Sequence, residues 1–325
     1  MPSIRNTWAV CAAAALAAAT LAGCGSSDSG SGAGSGKDTT IRVEVGPSYW
    51  ETPMRIAISK GWFKEAGFDV KAVEYGPESS IPLVLNGQAD VGVTGLGTVI
   101  THAAKGVPIK AVAGQLVEGE QRDQQLASVV ARKGSGIRSV SDLAGRKVAS
   151  NELKGPSAAQ VVRRTNEAGG KGDAITWVAV PFPGMVEAMK RGDVDAAVSV
   201  APFTDQLLAA GGTYVSKVSR AGTPVPVYFA KKEFRQKQSA KADAFMKVLE
   251  RAYAWANENR DEALAEFAKT ANIPLKAAQA QPKMKWQAAF DEKAVTGNID
   301  DMRAAGYLKG SIGYAELVAA PPSAG

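Results

Sequence analysis

Few residues of this chain could carry bond-making chemistry, and those few are poorly placed for it. His102 is the only histidine. It sits in an apolar-periodic run at 99–105, where a packed or helix-surface position is a plainer reading than a general base. A Ser-His-Asp arrangement needs just one histidine, but no nucleophile elbow of the form Gly-x-Ser-x-Gly occurs beyond the N-terminal segment. The two cysteines are Cys11 and Cys24, so no thiolate, disulfide or His/Cys metal site is expected in the folded part. Asp193 and Asp195 lie just after a helix-closing glycine and read as capping or solvated groups. No catalytic residue, metal ligand or cofactor is expected.

Other residues suit holding a molecule rather than converting one. Lys154-Gly155-Pro156-Ser157-Ala158 opens a helix predicted over 157–168. Pro156 lacks an N–H, but the amides that follow have no intrahelical acceptor. The partial positive charge there favours an anion by roughly 0.3–1 kcal/mol, more in a dry site. Thr94-Gly95-Leu96-Gly97 follows a buried strand, and its glycines allow either a tight turn or close backbone approach to a ligand. Tyr49 and Trp50, in the loop at 46–50, offer an apolar wall with a polar tip. Trp50 packed under the following helix is an equal alternative. Ser79 or Ser80 reads as a helix N-cap, and Arg122 is a candidate counter-ion.

The elements that must position these residues alternate in type. Strands are expected at 41–45, 68–73, 91–93 and 109–113, with helices at 53–66, 81–86 and 99–105 between them. The grammar restarts after 127–132, with strands at 147–149, 175–180 and 196–200 and helices at 157–168 and 185–190. Strict alternation argues for α/β layers with largely parallel sheets. A faint echo supports two units: 83–90 and 187–195 each end a helix on glycine and place Asp before a buried strand. Residues 224–230 read as a further strand. A helical block from 240 onward is best used by packing back on the first unit. That makes the first lobe discontinuous, 39–127 with 224–325, around a second lobe at 128–223, with hinge strands near 127–132 and 224–230.

The N-terminal segment sets the compartment. Arg5 followed by an apolar, alanine-rich run at 8–22 reads as an export signal, being too short for the roughly 20 residues a membrane span needs. It ends in Leu21-Ala22-Gly23-Cys24, which looks like a bacterial lipobox, with residues 1–23 removed and Cys24 lipidated. The Ser/Gly-rich segment at 24–38 cannot bury a core and reads as a flexible tether. Lys and Arg number 38 against 32 Asp and Glu. That mild, dispersed excess, with no basic run interleaved with aromatics, argues against nucleic-acid binding.

Several runs together resemble a known family. Residues 53–70, reading Pro-Met-Arg-Ile-Ala-Ile-Ser-Lys-Gly-Trp-Phe-Lys-Glu-Ala-Gly-Phe-Asp-Val, look like the first-lobe signature of the sulfonate, nitrate, taurine and thiamine-precursor binding proteins of ABC importers. Residues 86–95, 141–149 and 192–197 with Ala201-Pro202-Phe203 resemble its later elements, in the right order.

The resemblance implies a two-lobed periplasmic-binding-protein type II fold with a hinge of two crossover strands. Its ligand cleft would be bordered by Tyr49, Trp50, Ser79, Ser80, Thr94, Gly95 and Leu96 of one lobe. Gly155, Pro156, Ser157, Ala158, Pro202 and Phe203 would border it from the other. It further implies a monomeric, membrane-tethered solute-binding subunit outside the cell. This subunit would close on a small molecule, preferably an organic anion of the sulfonate or taurine kind, and present it to an importer permease. A thiamine-precursor pyrimidine or nitrate is the alternative solute. A tethered sensor or an extracellular enzyme on the same fold is the alternative of another class, since cytosolic enzymes share it.

Overall fold

The computed structural model describes residues 39–74 and 80–320. The expectations for the leader at 1–23, lipidated Cys24, the linker at 24–38 and Ser79 lie outside the described residues. No helix among the described residues is long and apolar enough to cross a membrane.

Among the described residues, eleven strands form two sheets. They are β1 (Thr40–Glu44), β2 (Asp69–Val73), β3 (Val91–Thr94), β4 (Ile109–Val117), β5 (Ala127–Ala131), β6 (Lys147–Ser150), β7 (Thr176–Ala179), β8 (Ala196–Val200), β9 (Thr213–Lys217), β10 (Pro224–Lys231) and β11 (Lys285–Trp286). The first sheet runs β11-β4-β10-β3-β1-β2 and the second β7-β6-β8-β5-β9. Each is the heart of one lobe of a periplasmic binding protein fold. Val43, Val91, Val129 and Val198 are almost fully buried. Helices cover both sheet faces, so the central strands read as near-continuous apolar runs rather than alternating ones.

The sheets are mixed, not mostly parallel as expected. β1 pairs β2 and β3 in parallel and β6 pairs β7 and β8 in parallel. The pairings made by β10, by β5 and by β11 are antiparallel. The reason lies in chain path: β5 and β10 enter their sheets from the opposite lobe, so they run against the strands built by local strand-helix-strand units. These two strands cover the positions expected for the hinge, yet they are ladder strands paired on both sides. The connections between the sheets are residues 118–126 and 218–223. They are themselves joined where Glu118 N–H donates to the Thr223 carbonyl (3.0 Å) and Gly222 N–H to the Glu118 carbonyl (2.8 Å).

The sequence echo has a physical content that capping alone misses. Gly87 and Gly192 each close a helix in the left-handed region, with φ of 74° and 78°. Asp90 then accepts from the Arg42 amide of β1 at 2.8 Å, and Asp195 from the Lys147 amide of β6 at 3.1 Å. Arg42 and Arg132 pair with these carboxylates in turn. Asp195 is therefore not a merely solvated group: like its counterpart, it holds the first strand of its lobe's local unit.

The late helical block splits at Asn259 into Ser239–Glu258 and Arg260–Thr270. Both pack on the first sheet, where Phe245, Leu249 and Phe267 join Ile41 and Met54 in one core. The helix Glu292–Ala304 is capped by Asp291, whose side chain accepts from the Ala294 amide at 2.9 Å. Its Val295 and Ile299 share the core on the other face with Phe229 and with Ala159 of the Pro156–Glu167 helix. The two lobes thus touch through that pair of helices.

Candidate functional site

Two helix starts, one from each lobe, converge on a single cavity of about 230 Å³. Gly95 is the N-cap of Leu96–Ala104, in extended conformation, and Gly155 is the N-cap of Pro156–Glu167, with Pro156 at the first helical position. Neither end has a side-chain cap. The first backbone amides of both helices have no intrahelical acceptor, so each end presents donors and a partial positive charge. Glycine at 97 permits the approach: a Cβ there would lie 2.0 Å from Pro156 Cγ.

Of the residues expected at the site, the cavity brings together Trp50, Gly95, Leu96, Pro156 and Ser157. Trp50 is the wall offered by the first loop, and its Nε1 is buried without a hydrogen-bond partner.

The other expected residues stand elsewhere, each for a visible reason. Tyr49 is a core residue, its ring 5.0 Å from that of Trp286 and 5.8 Å from that of Phe267. Its hydroxyl donates to the Pro282 carbonyl at 3.1 Å and accepts from Arg260 Nη2 at 2.7 Å. Burial pushes its pKa up to about 12, against the pull of Arg260. Ser80 Oγ donates to Glu44 Oε1 at 3.0 Å, and the buried Glu44 also accepts the Val93 amide. Ser80 thus ties a helix start to the sheet. Thr94 ends β3 opposite Val227, and Ala158 is fully buried. Pro202 and Phe203 lie outside the cavity, Phe203 stacking on Phe182 with ring centroids 5.7 Å apart.

Sequence reasoning missed the rest of the wall. Leu126, Ser219, Thr223, Val225 and Pro226 come from the two interlobe connections and the start of β10, and Asn298 from the Glu292–Ala304 helix. Only Gln160 left a readable signal: it lies four residues after Pro156, on the same helix face. Its Nε2 donates to Asn298 Oδ1. Asn298 Nδ2 donates to Thr223 Oγ1 at 3.0 Å and to the Ala294 carbonyl at 2.8 Å.

Behind the wall sits Glu118, whose Oε2 accepts the Leu126 amide at 3.0 Å. Burial pushes this carboxyl up to about 7, although the Leu126 amide, the Ser219 hydroxyl and Lys217 pull it down. No charged residue is among the described residues lining the cavity.

A larger cavity of about 460 Å³ lies on the other side of Leu126. Three of the charged groups that line it are engaged. Lys283 pairs with Asp123 at 3.2 Å, and Arg122 lies over the Tyr214 ring at 4.4 Å. Arg122 is thus placed at this second cavity and not at the one where the helix starts meet. The smaller cavity, apolar with a few unpartnered polar atoms, has the character of a small-molecule site.

Comparison with known proteins bears on the family and the fold. A family model described as NMT1/THI5 like matches residues 51–263. A Bacillus subtilis protein named for binding aliphatic sulfonates is 25% identical over 233 residues, which cover 68% of this chain and 67% of that protein. A 4-amino-5-hydroxymethyl-2-methylpyrimidine phosphate synthase of Saccharomyces cerevisiae is 31% identical over 104 residues, 31% of this chain. The match spans 29% of that yeast protein's length. Among solved structures, the periplasmic aliphatic sulphonate binding protein SsuA of Escherichia coli superposes with a TM-score of 0.68 at 19% identity. The superposition covers 87% of this chain and 92% of that one. At this identity the likeness is one of fold.

Proposed function

The chain belongs to the NMT1/THI5-like family, and from that premise we propose that it is the solute-binding component of an ABC importer. It captures a small organic solute between two hinged lobes outside the cell and delivers it to a membrane permease. The observation that carries this reading is the convergence of the Leu96 and Pro156 helix starts, one from each lobe, on one cavity. Neither half-site buries a solute alone, so a solute that contacts both shifts the population toward the closed form. A permease can distinguish that form from the open one.

The Bacillus subtilis and Escherichia coli relatives are named for sulfonates, and the helix starts supply the amides and partial charge that a sulfonate oxygen needs. We take a small organic anion of this kind as the leading solute. The synthase name of the yeast relative keeps a pyrimidine as the second reading. We further propose division of the lobes at 128 and 223, tethering through a lipid on Cys24, and action as a monomer without turnover.

The test is a thermal-shift and tryptophan-fluorescence screen of organic anions and pyrimidines against the tag-free chain from residue 39, with product analysis of every binder. Saturable binding without conversion supports the reading. Conversion of a bound compound, or no binder at all, overturns it.

A further inference from the structure

Gln160 has its hydrogen-bonding sense fixed from outside the cavity. The Ala294 carbonyl can only accept, so Asn298 must turn its Nδ2 toward it, as it does at 2.8 Å. That leaves Asn298 Oδ1 facing Gln160, and Gln160 must answer with Nε2. Turning either amide over would set oxygen against oxygen or nitrogen against hydrogen-bearing nitrogen. The remaining atom of the buried Gln160 amide, Oε1, is an acceptor without a partner. Trp50 lines the same cavity, its Nε1 is an unpartnered buried donor, and indole nitrogen can do nothing but donate. A buried polar group left unmet is costly, so both atoms select for a molecule that satisfies them.

We infer that the solute of this site carries an N–H or O–H donor received by Gln160 Oε1, together with an acceptor that faces Trp50 Nε1. The inference rests on the solute-binding reading above and narrows it. Bare oxyanions such as nitrate, and alkanesulfonates with no donor, leave Gln160 Oε1 unpaired. Aminosulfonates, and neutral heterocycles bearing an amino group, satisfy both atoms. Asn298 acts at one remove, as the positioning residue that fixes the sense of the Gln160 amide and leaves its Oε1 to accept.

Isothermal titration of matched pairs tests this: taurine against ethanesulfonate, and 4-aminopyrimidine against pyrimidine, followed by donor-bearing and donor-free analogues of every hit from the broad screen. The donor-bearing member of each binding pair should be tighter by at least about tenfold on the unmodified protein. In Gln160→Met, with its thermal midpoint checked, the two members should converge to within about twofold. Equal binding of both members to the unmodified protein overturns the inference while leaving the binding function intact. Absence of any binder across the whole screen sinks the solute-binding reading itself, and this inference with it.

Discussion

Gly97 and Pro156 meet across the interlobe gap with no room for a side chain between them, since a Cβ on Gly97 would stand 2.0 Å from Pro156 Cγ and 2.7 Å from its Cδ. The two residues belong to different lobes and sit at the helix starts that form the cavity. The closed arrangement therefore depends on a missing methyl group.

Gly97→Ala separates closure from folding. Gly97 is helical and carries no positive φ, so alanine fits the backbone and raises helix propensity by about 1 kcal/mol. The variant should keep its thermal midpoint without solute yet bind at least about tenfold more weakly, because the closed state is displaced from the population. Small-angle scattering should show it failing to contract when solute is added. Undiminished affinity with normal contraction would place the closing surface elsewhere.

Asp301 fastens the same interface from the side. It is 4% exposed and accepts from Arg163 Nε at 3.0 Å, from Arg220 Nε at 3.1 Å and from Arg220 Nη2 at 2.8 Å. Arg163 lies on the second-lobe helix and Arg220 in an interlobe connection, so one carboxylate gathers three segments. Asp301→Ala takes the carboxylate from Arg220 and leaves Arg163 with Glu167 alone, at a largely buried contact. With Arg220 35% exposed and so partly solvated, the expected loss is roughly 2–3 kcal/mol in denaturant unfolding. A loss of only a few tenths would mean that the arginines find other partners.

Local grammar carries the parts of the site that local grammar builds. Gly95, Leu96, Pro156 and Ser157 are readable because a strand end, a glycine and a helix start are written within a few consecutive residues. The equivalence of Asp90 and Asp195 is likewise visible in the echo at 83–90 and 187–195. Thr223 and Asn298 are not readable, since their link to Gln160 closes only when residues from three distant stretches pack together. Tyr49 misleads for the opposite reason: an aromatic beside a ligand loop looks like a wall, but a pocket formed by Arg260, Phe267 and Trp286, more than two hundred residues later, takes its ring into the core.

Ser157→Asp tests whether the second-lobe helix start receives an anion. Ser157 lines the cavity, and a carboxylate there adds like charge where a sulfonate oxygen would sit. Affinity for a sulfonate should fall by about tenfold or more, while that for an uncharged solute changes much less. Equal losses for both, read by titration calorimetry, would remove the charge argument.

Cys24→Ser addresses the tether. Detergent-phase partitioning of the full chain expressed in a bacterium should move from the detergent phase to the aqueous phase, because two or more acyl chains anchor durably where one is marginal. Mass spectrometry should find the acyl mass on the unmodified chain alone. An unmodified cysteine in the wild type would end the tether proposal without touching the cavity.

Glu118 gives the protein a stability that falls as pH rises. Its folded pKa is about 7 against an ordinary 4.5, with burial as the cause. Between those values the folded carboxyl holds a proton that the unfolded chain has released, so the folded state binds more protons and stability declines with rising pH. The contribution is fully present below pH 4.5, is lost progressively up to about pH 7 and is flat above it. Its size is on the order of 3 kcal/mol from the width of that window. Glu118→Gln keeps an acceptor for the Leu126 amide and removes the titration. Unfolding profiles of the two proteins should therefore diverge between pH 5 and 7, with the wild type losing stability relative to the variant. Because the Glu118 carboxyl lies between the two interlobe connections, bonded to the Leu126 amide of one and the Ser219 hydroxyl of the other, a charge buried there should perturb the hinge and weaken solute binding over the same range. Parallel profiles of the two proteins would show that the carboxyl titrates normally and that the hinge is indifferent to it.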